Sequence, residues 1–123
     1  MIDYTKFPGL TCVYLEDSYV LEILEEPGEL IFKLDAVLTP ECPAYRPPRP
    51  DEQYCYAAGC LVFPSVLSID WIERTDQKFT DASGEQDLGN IDVLKRDGDF
   101  FVAEGDWGKV RVQSAEPQFE LDD

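Results

Sequence analysis

Side-chain alternation interrupted by paired turn residues most narrows what this chain can fold into. From Tyr19 to Ile23, Tyr19, Leu21 and Ile23 fall on one face and Val20, Glu22 and Leu24 on the other, the period-two pattern of a strand. Glu26-Pro27-Gly28-Glu29 follows. Proline pre-sets φ at the second position of a type II turn and glycine accepts the positive φ of the third. Beyond the turn, Leu30, Phe32 and Leu34 share a face opposite Lys33 and Asp35. Residues 18 to 38 are therefore expected to form an antiparallel hairpin.

A second hairpin is expected at Asp97-Gly98, a favoured two-residue connection, joining strands at Asn90 to Lys95 and Asp99 to Glu104. Glu104-Gly105-Asp106-Trp107-Gly108 reads as another turn. It leads to Lys109-Val110-Arg111-Val112-Gln113, whose alternation would bury the valines and complete a three-strand meander. Gln53 to Phe63 and Val66 to Glu73 supply further strands, with Leu67, Ile69 and Trp71 on one side of the latter. Pro64 separates them because it cannot donate to a central ladder. A short terminal strand is expected around Gln118 to Leu121.

Helical periodicity over 11 or more residues is missing, and the strand segments are rich in Val, Ile, Tyr and Phe, residues suited to a pleated surface. The expected fold class is all-β: an antiparallel sandwich or partly open barrel of about 7–8 short strands, with at most a short helical turn in the loops. At 123 residues the chain, 1–123, is read as a single domain. Two long connections stand out, 39 to 52, with five of the nine prolines, and 74 to 89. Loops of that length are often functional.

The chain carries 26 Asp and Glu against 10 Lys and Arg, a formal charge of −16, yet is 44% hydrophobic, too apolar for a disordered acidic tail. A field of that sign repels nucleic acid and anionic membrane surfaces, so the expected partner is a basic protein. No apolar run is long enough for a bilayer, and Met1 to Lys6 lacks the basic and apolar regions of a signal peptide. The expected location is cytoplasmic. Histidine is absent altogether, so Ser-His-Asp and Cys-His nucleophile arrangements cannot be built. Gly-x-Ser-x-Gly, the Gly-x-x-x-x-Gly-Lys-Ser/Thr phosphate loop and Gly-x-Gly-x-x-Gly are also missing.

No cofactor, metal or catalytic residue is assigned. Zinc would need the cysteines, but only Cys55-x4-Cys60 is closely spaced, with Cys12 and Cys42 apart from it. Calcium would need oxygen ligands, yet residues 81–87 and Asp97-Gly98-Asp99 do not fit an EF-hand loop. Read as a turn, Tyr56-Ala57-Ala58-Gly59 would make Cys55 and Cys60 cross-strand neighbours, as small buried thiols or as a strained disulfide. A carboxylate pair acting as general acid and base remains open, with no pair preferred.

Recognition chemistry concentrates in and after the proline-rich loop. Tyr45, Arg46, Arg49, Tyr54 and Tyr56 bring aromatic faces and two cations within a dozen residues. Tyrosine and arginine are favoured interface anchors, and prolines reduce the entropy lost on docking. The competing reading pairs the arginines with carboxylates and lays the tyrosines over the sheet. Asp17 and Tyr19 join the candidate partner-binding set, as does Trp107, expected at the rim where it caps the core. Trp71 is expected in the core.

Glu16-Asp17-Ser18-Tyr19-Val20, then a short hairpin and Leu30-Ile31-Phe32-Lys33-Leu34-Asp35, resembles the opening of small β-rich bacterial proteins of uncharacterised function. Some similar families are immunity proteins of polymorphic toxin systems, which bind and neutralise a toxin made by the same cell. The resemblance covers about residues 14–38 and implies a toxin-binding inhibitor. In related openings His-Asp is expected where this chain has Glu16-Asp17, so no role of that pair is carried over. Three readings follow. The first is an acidic protein-binding module, of immunity type, that captures a basic protein. The second is a small-ligand-binding or carboxylate-using enzymatic domain with a pocket between sheets. The third is an accessory domain whose charge serves solubility. None specifies an oligomeric state.

Overall fold

The computed structural model of the protein describes residues 2–47, 50, 55–75, 79–80 and 86–122. Among them run strands β1 (Ile2–Asp3), β2 (Val13–Glu26), β3 (Glu29–Leu38), β4 (Tyr56–Pro64), β5 (Ser68–Arg74), β6 (Phe79–Thr80), β7 (Gln86–Asp87), β8 (Ile91–Asp97), β9 (Phe100–Gly105), β10 (Gly108–Gln113) and β11 (Gln118–Leu121). They form two antiparallel sheets, ordered β1-β8-β9-β10-β5 and β11-β4-β3-β2, plus the small β6-β7 ladder. The architecture is the expected all-β sandwich, without closure into a barrel. The terminal strand and the three-strand meander lie where the alternation places them.

Burial follows the pleat. Leu30, Phe32, Leu34 and Ala36 from β3 and Leu61 and Phe63 from β4 face Leu94, Phe101, Ala103, Val110 and Val112 from the other sheet. Phe32 lies against Trp107 with ring centroids 4.9 Å apart, and Phe63 meets Phe101 edge-on at 6.3 Å. Such tilted pairs are favoured by the ring quadrupoles. Single turns of 3-10 helix lie in the N-terminal segment, at Tyr4–Lys6 and Pro8–Leu10. Tyr4 opens the first turn, Phe7 is the extended residue between the two, and Leu10 closes the second; all three pack on the core.

Several expectations are corrected. In β2, Val20 pairs with Leu34 and Glu22 with Lys33, so Leu21 is an extra, bulged residue. The phase of the strand switches there. Val20 and Ile23 both turn toward the core, while Tyr19 and Leu21 stay exposed. Asp97 pairs with Phe100, so the second turn is Gly98-Asp99, one residue later than expected, with Gly98 at φ +62°. A positive φ at the first central position is what a II′ turn requires. Gly28, at φ +76°, sits where the type II turn needs it.

Tyr56-Ala57-Ala58-Gly59 is not a turn. It lies within continuous β4, so Cys55 and Cys60 precede and occupy one strand and are not cross-strand neighbours. Gly59 is required instead by close approach: a Cβ there would lie 2.6 Å from the Phe119 ring and 2.8 Å from the Glu120 carbonyl oxygen on β11. Leu67 precedes β5 and is 78% exposed, unlike Ile69 and Trp71, which pack against the core. The polar stretch after β5 contains the β6-β7 ladder.

Trp107 departs from the role expected of it, and Trp71 packs on the core without being enclosed by it. Trp107 is fully buried, donating from Nε1 to the Asn90 carbonyl at 3.1 Å. It projects inward from the β9-β10 turn because Gly105 leaves room beside it for Asn90 and the indole. Trp107 therefore cannot serve as a surface contact. Trp71 sits partly exposed at the margin of the sandwich, where Nε1 donates to Glu25 at 2.8 Å.

Candidate functional site

Strand β2 concentrates the acidic character of the chain. Its 14 residues, VYLEDSYVLEILEE, hold five carboxylates and no Lys or Arg. It is an edge strand of its sheet, where charge discourages indiscriminate strand pairing. Between Tyr14, paired with Val37, and Tyr19, paired with Asp35, the register slips. Ser18 fills the gap in the ladder. Its buried hydroxyl donates to the Tyr14 carbonyl at 2.7 Å and accepts from Val37 N–H at 2.9 Å. The slip thereby keeps both Tyr14 and Tyr19 on the outer face without leaving a buried donor unpaired.

Register carries this face across the sheet. Tyr14, Val37 and Tyr56 form one cross-strand row, Tyr19, Asp35 and Ala58 the next, and Glu22, Lys33 and Cys60 a third. Tyr14, Tyr19 and Leu21 are 44%, 39% and 47% exposed, while Val37 is covered. Lys33 lies 3.8 Å from Glu22 in an exposed ion pair, a contact worth little by itself. The result is an outer surface of tyrosines and aliphatic side chains framed by carboxylates.

The sheet brings together Asp17, Tyr19 and Tyr56 of the sequence-derived candidates. Asp17 is exposed in the register slip, and Tyr19 and Tyr56 occupy neighbouring rows. Tyr45 and Arg46 follow β3 in the proline-rich segment. Tyr45 packs part of its ring on a cluster formed by Leu38, Cys42 and Cys55, and Arg46 donates to the Pro47 carbonyl at 3.5 Å. Arg49 and Tyr54 lie outside the described residues. Tyr14 and Leu21 belong to the face but were not among the candidates. Tyr14 was legible, since it alternates with Val13 and Leu15, whereas the exposure of Leu21 depends on the bulge.

Three arginines make contacts outside this face. The Arg74 guanidinium lies 4.2 Å from the Trp71 ring centroid and that of Arg111 3.8 Å from Phe100, both cation–π geometries. Arg96 donates to the Gly98 carbonyl. A second acidic group lies where β2 nears the other sheet. Partial burial, then the charges of Asp106, Glu104 and Glu16, hold the Asp92 carboxyl above its usual range. Tyr4 donates to Glu16 at 2.6 Å and accepts from the Leu15 N–H at 3.2 Å. Burial and the bond to Glu16 push its phenol pKa up.

The free edge of β2 is partly occupied: Val20 N–H donates to the Gly89 carbonyl and Leu88 N–H to the Val20 carbonyl, each at 2.8 Å. Asn90 Nδ2 donates to the Ser18 carbonyl at 2.6 Å. These bonds tie the acidic edge to the segment that leads into β8 of the second sheet.

No group of three or more His, Cys, Asp or Glu among the described residues is arranged to hold a metal. Asp97-Gly98-Asp99 spans the end of β8 and the turn to β9, and residues 81–85 of the other considered loop lie outside the described residues. A depression of about 320 Å³ is lined by Leu67, Arg96, Asp99, Phe101, Gln113 and Glu116 among others, and one of about 170 Å³ by Tyr4, Val13, Tyr14, Thr39 and Glu41 among others. Both are open to the surface, while Trp107, Phe32 and Phe63 fill the space between the sheets. No described helix is long and apolar enough to cross a membrane. Comparison of the chain with protein-family models, with curated proteins and with solved structures returned no match.

Proposed function

We propose that the protein is a binding module that captures a basic protein through the outer face of β2 and its neighbours. The observation that carries this reading is β2 itself, where Tyr14, Tyr19 and Leu21 stand exposed among five carboxylates with no cation on the strand. The charge accelerates encounter with a cationic surface and disfavours acidic competitors. The tyrosines supply rigid, amphipathic area once the surfaces meet. A strand held by the Ser18 and Asn90 hydrogen bonds is pre-organised, so little ordering entropy opposes docking. In its immunity-type form, the partner is a basic toxin and capture neutralises it.

The test compares the native chain with Tyr14→Ala and Tyr19→Ala variants in pull-downs from the source cells, followed by kinetics with the isolated partner. Each tyrosine variant should weaken affinity about tenfold or more, and the native on-rate should fall about tenfold as salt rises from low to physiological strength. Polylysine serves as the charge-only control and should bind all three proteins alike. A partner whose affinity ignores both tyrosines, or whose on-rate ignores salt, overturns the reading.

A further inference from the structure

We propose that Cys12 and Cys42 are a thiol-oxidation site, forming a reversible disulfide that staples the start of β2 to the proline-rich segment after β3. Thirty positions separate them in sequence, and neither belongs to a close cysteine pair. The fold brings them together. Cys42 is buried with Leu38 and Cys55, and Cys12 and Tyr45 pack on that cluster. After burial, the nearby Cys42 thiol is the main influence on the Cys12 thiol.

Thr39 holds the two backbones in place. Its N–H donates to the Cys12 carbonyl at 2.9 Å, its hydroxyl to the Thr11 carbonyl at 2.6 Å, and its carbonyl accepts from Cys42 N–H at 3.0 Å. Tyr45 N–H then donates to the Cys42 carbonyl at 2.9 Å. All four cysteines are free thiols in the structure, so it presents the reduced form of the pair.

The two thiols differ in access. Cys12 is half-buried and Cys42 almost wholly buried, which sets the order of steps with a small disulfide such as oxidised glutathione as oxidant. The Cys12 thiolate attacks one glutathione sulfur, breaking its S–S bond and expelling one glutathione thiolate. Cys42, after losing its proton, attacks the Cys12 sulfur of the mixed disulfide and expels the second glutathione. Two electrons leave the protein dithiol, one glutathione disulfide becomes two thiols, and the two protein protons end on them. Burial and the contact with Cys42 push the Cys12 pKa up to about 11. Little thiolate is present at neutral pH, so the reaction is slow there and quickens with alkali.

Closing a loop of about 30 residues restricts the unfolded chain and raises stability. The staple also fixes Tyr45 relative to Tyr14, which lies two residues beyond Cys12.

The experiment treats the full chain with oxidised glutathione over a range of mildly alkaline pH, then maps peptides without reduction. The expected product has lost two of its four titratable thiols, links the Cys12 peptide to the Cys42 peptide, and melts higher than the reduced chain. Dithiothreitol should restore all four thiols, and the initial rate should rise close to tenfold per pH unit below the Cys12 pKa. A Cys42→Ala variant should stop at glutathione on Cys12; the native peptide map decides the question even if that variant folds poorly. Four persistent thiols, a lasting mixed disulfide on native Cys12, or a link to Cys55 or Cys60 would each overturn the proposal.

Discussion

At Asp92, partial burial of the carboxyl and the negative charges of Asp106, Glu104 and Glu16 together favour the protonated form. The folded pKa exceeds the unfolded one, so ionisation costs the folded state above that pKa, and the cost disappears as pH falls through it. Asp92→Asn should therefore stabilise the protein at neutral pH, by about 0.5 kcal/mol or less because the residue is exposed to screening water. Thermal melting across pH checks this: the gain should shrink as the solution is acidified just above the ordinary carboxylate range. A gain independent of pH would assign the effect to packing. None of this was legible in sequence, where Asp92 is one of 26 acids. Tyr19 and Trp107 mark the contrast between local and non-local information. Tyr19 is exposed, as one face of an edge strand allows. Trp107 looks like a rim residue in a glycine-bounded turn, yet it is core, because Gly105 leaves space that only the folded neighbours define.

At the scale of elements, β4 and β11 show why a strand and a turn can be confused. Tyr56-Ala57-Ala58-Gly59 reads as a turn because glycine commonly supplies positive φ. Here the need is clearance for a neighbour. A Gly59→Ala substitution places a methyl group against the Phe119 ring and the Glu120 carbonyl and should destabilise by about 1–3 kcal/mol, as overpacking does. Urea unfolding provides the measurement, and combining it with Phe119→Ala should cost less than the sum of the single changes. Strict additivity would show that β11 is not pressed by the new methyl. The hairpin of β2 and β3 was legible from Pro27-Gly28 and its flanking alternation. The Leu21 bulge was not, since one inserted residue leaves no mark on apolar content while reversing the face of everything beyond it.

Over the whole molecule, −16 charges on a 123-residue chain oppose compaction, and the described arginines that stack on aromatic rings relieve little of that repulsion. Raising salt from low to physiological strength should therefore stabilise the protein, by roughly 1 kcal/mol or about 4 °C in melting temperature. A fall in melting temperature would mean that exposed pairs such as Glu22–Lys33 outweigh the net repulsion. Local pattern and composition suffice for the all-β class, the first hairpin, the meander, the terminal strand and the sign of the net charge. Those depend on neighbours a few residues apart and on a sum of charges. The burial of Trp107, the gathering of Tyr14, Tyr19 and Tyr56 on one face, and the placing of Cys12 against the cluster that holds Cys42 are settled only by long-range packing. Each depends on which strands pair and in what register, and register is set by bulges and close approaches between segments far apart in the chain.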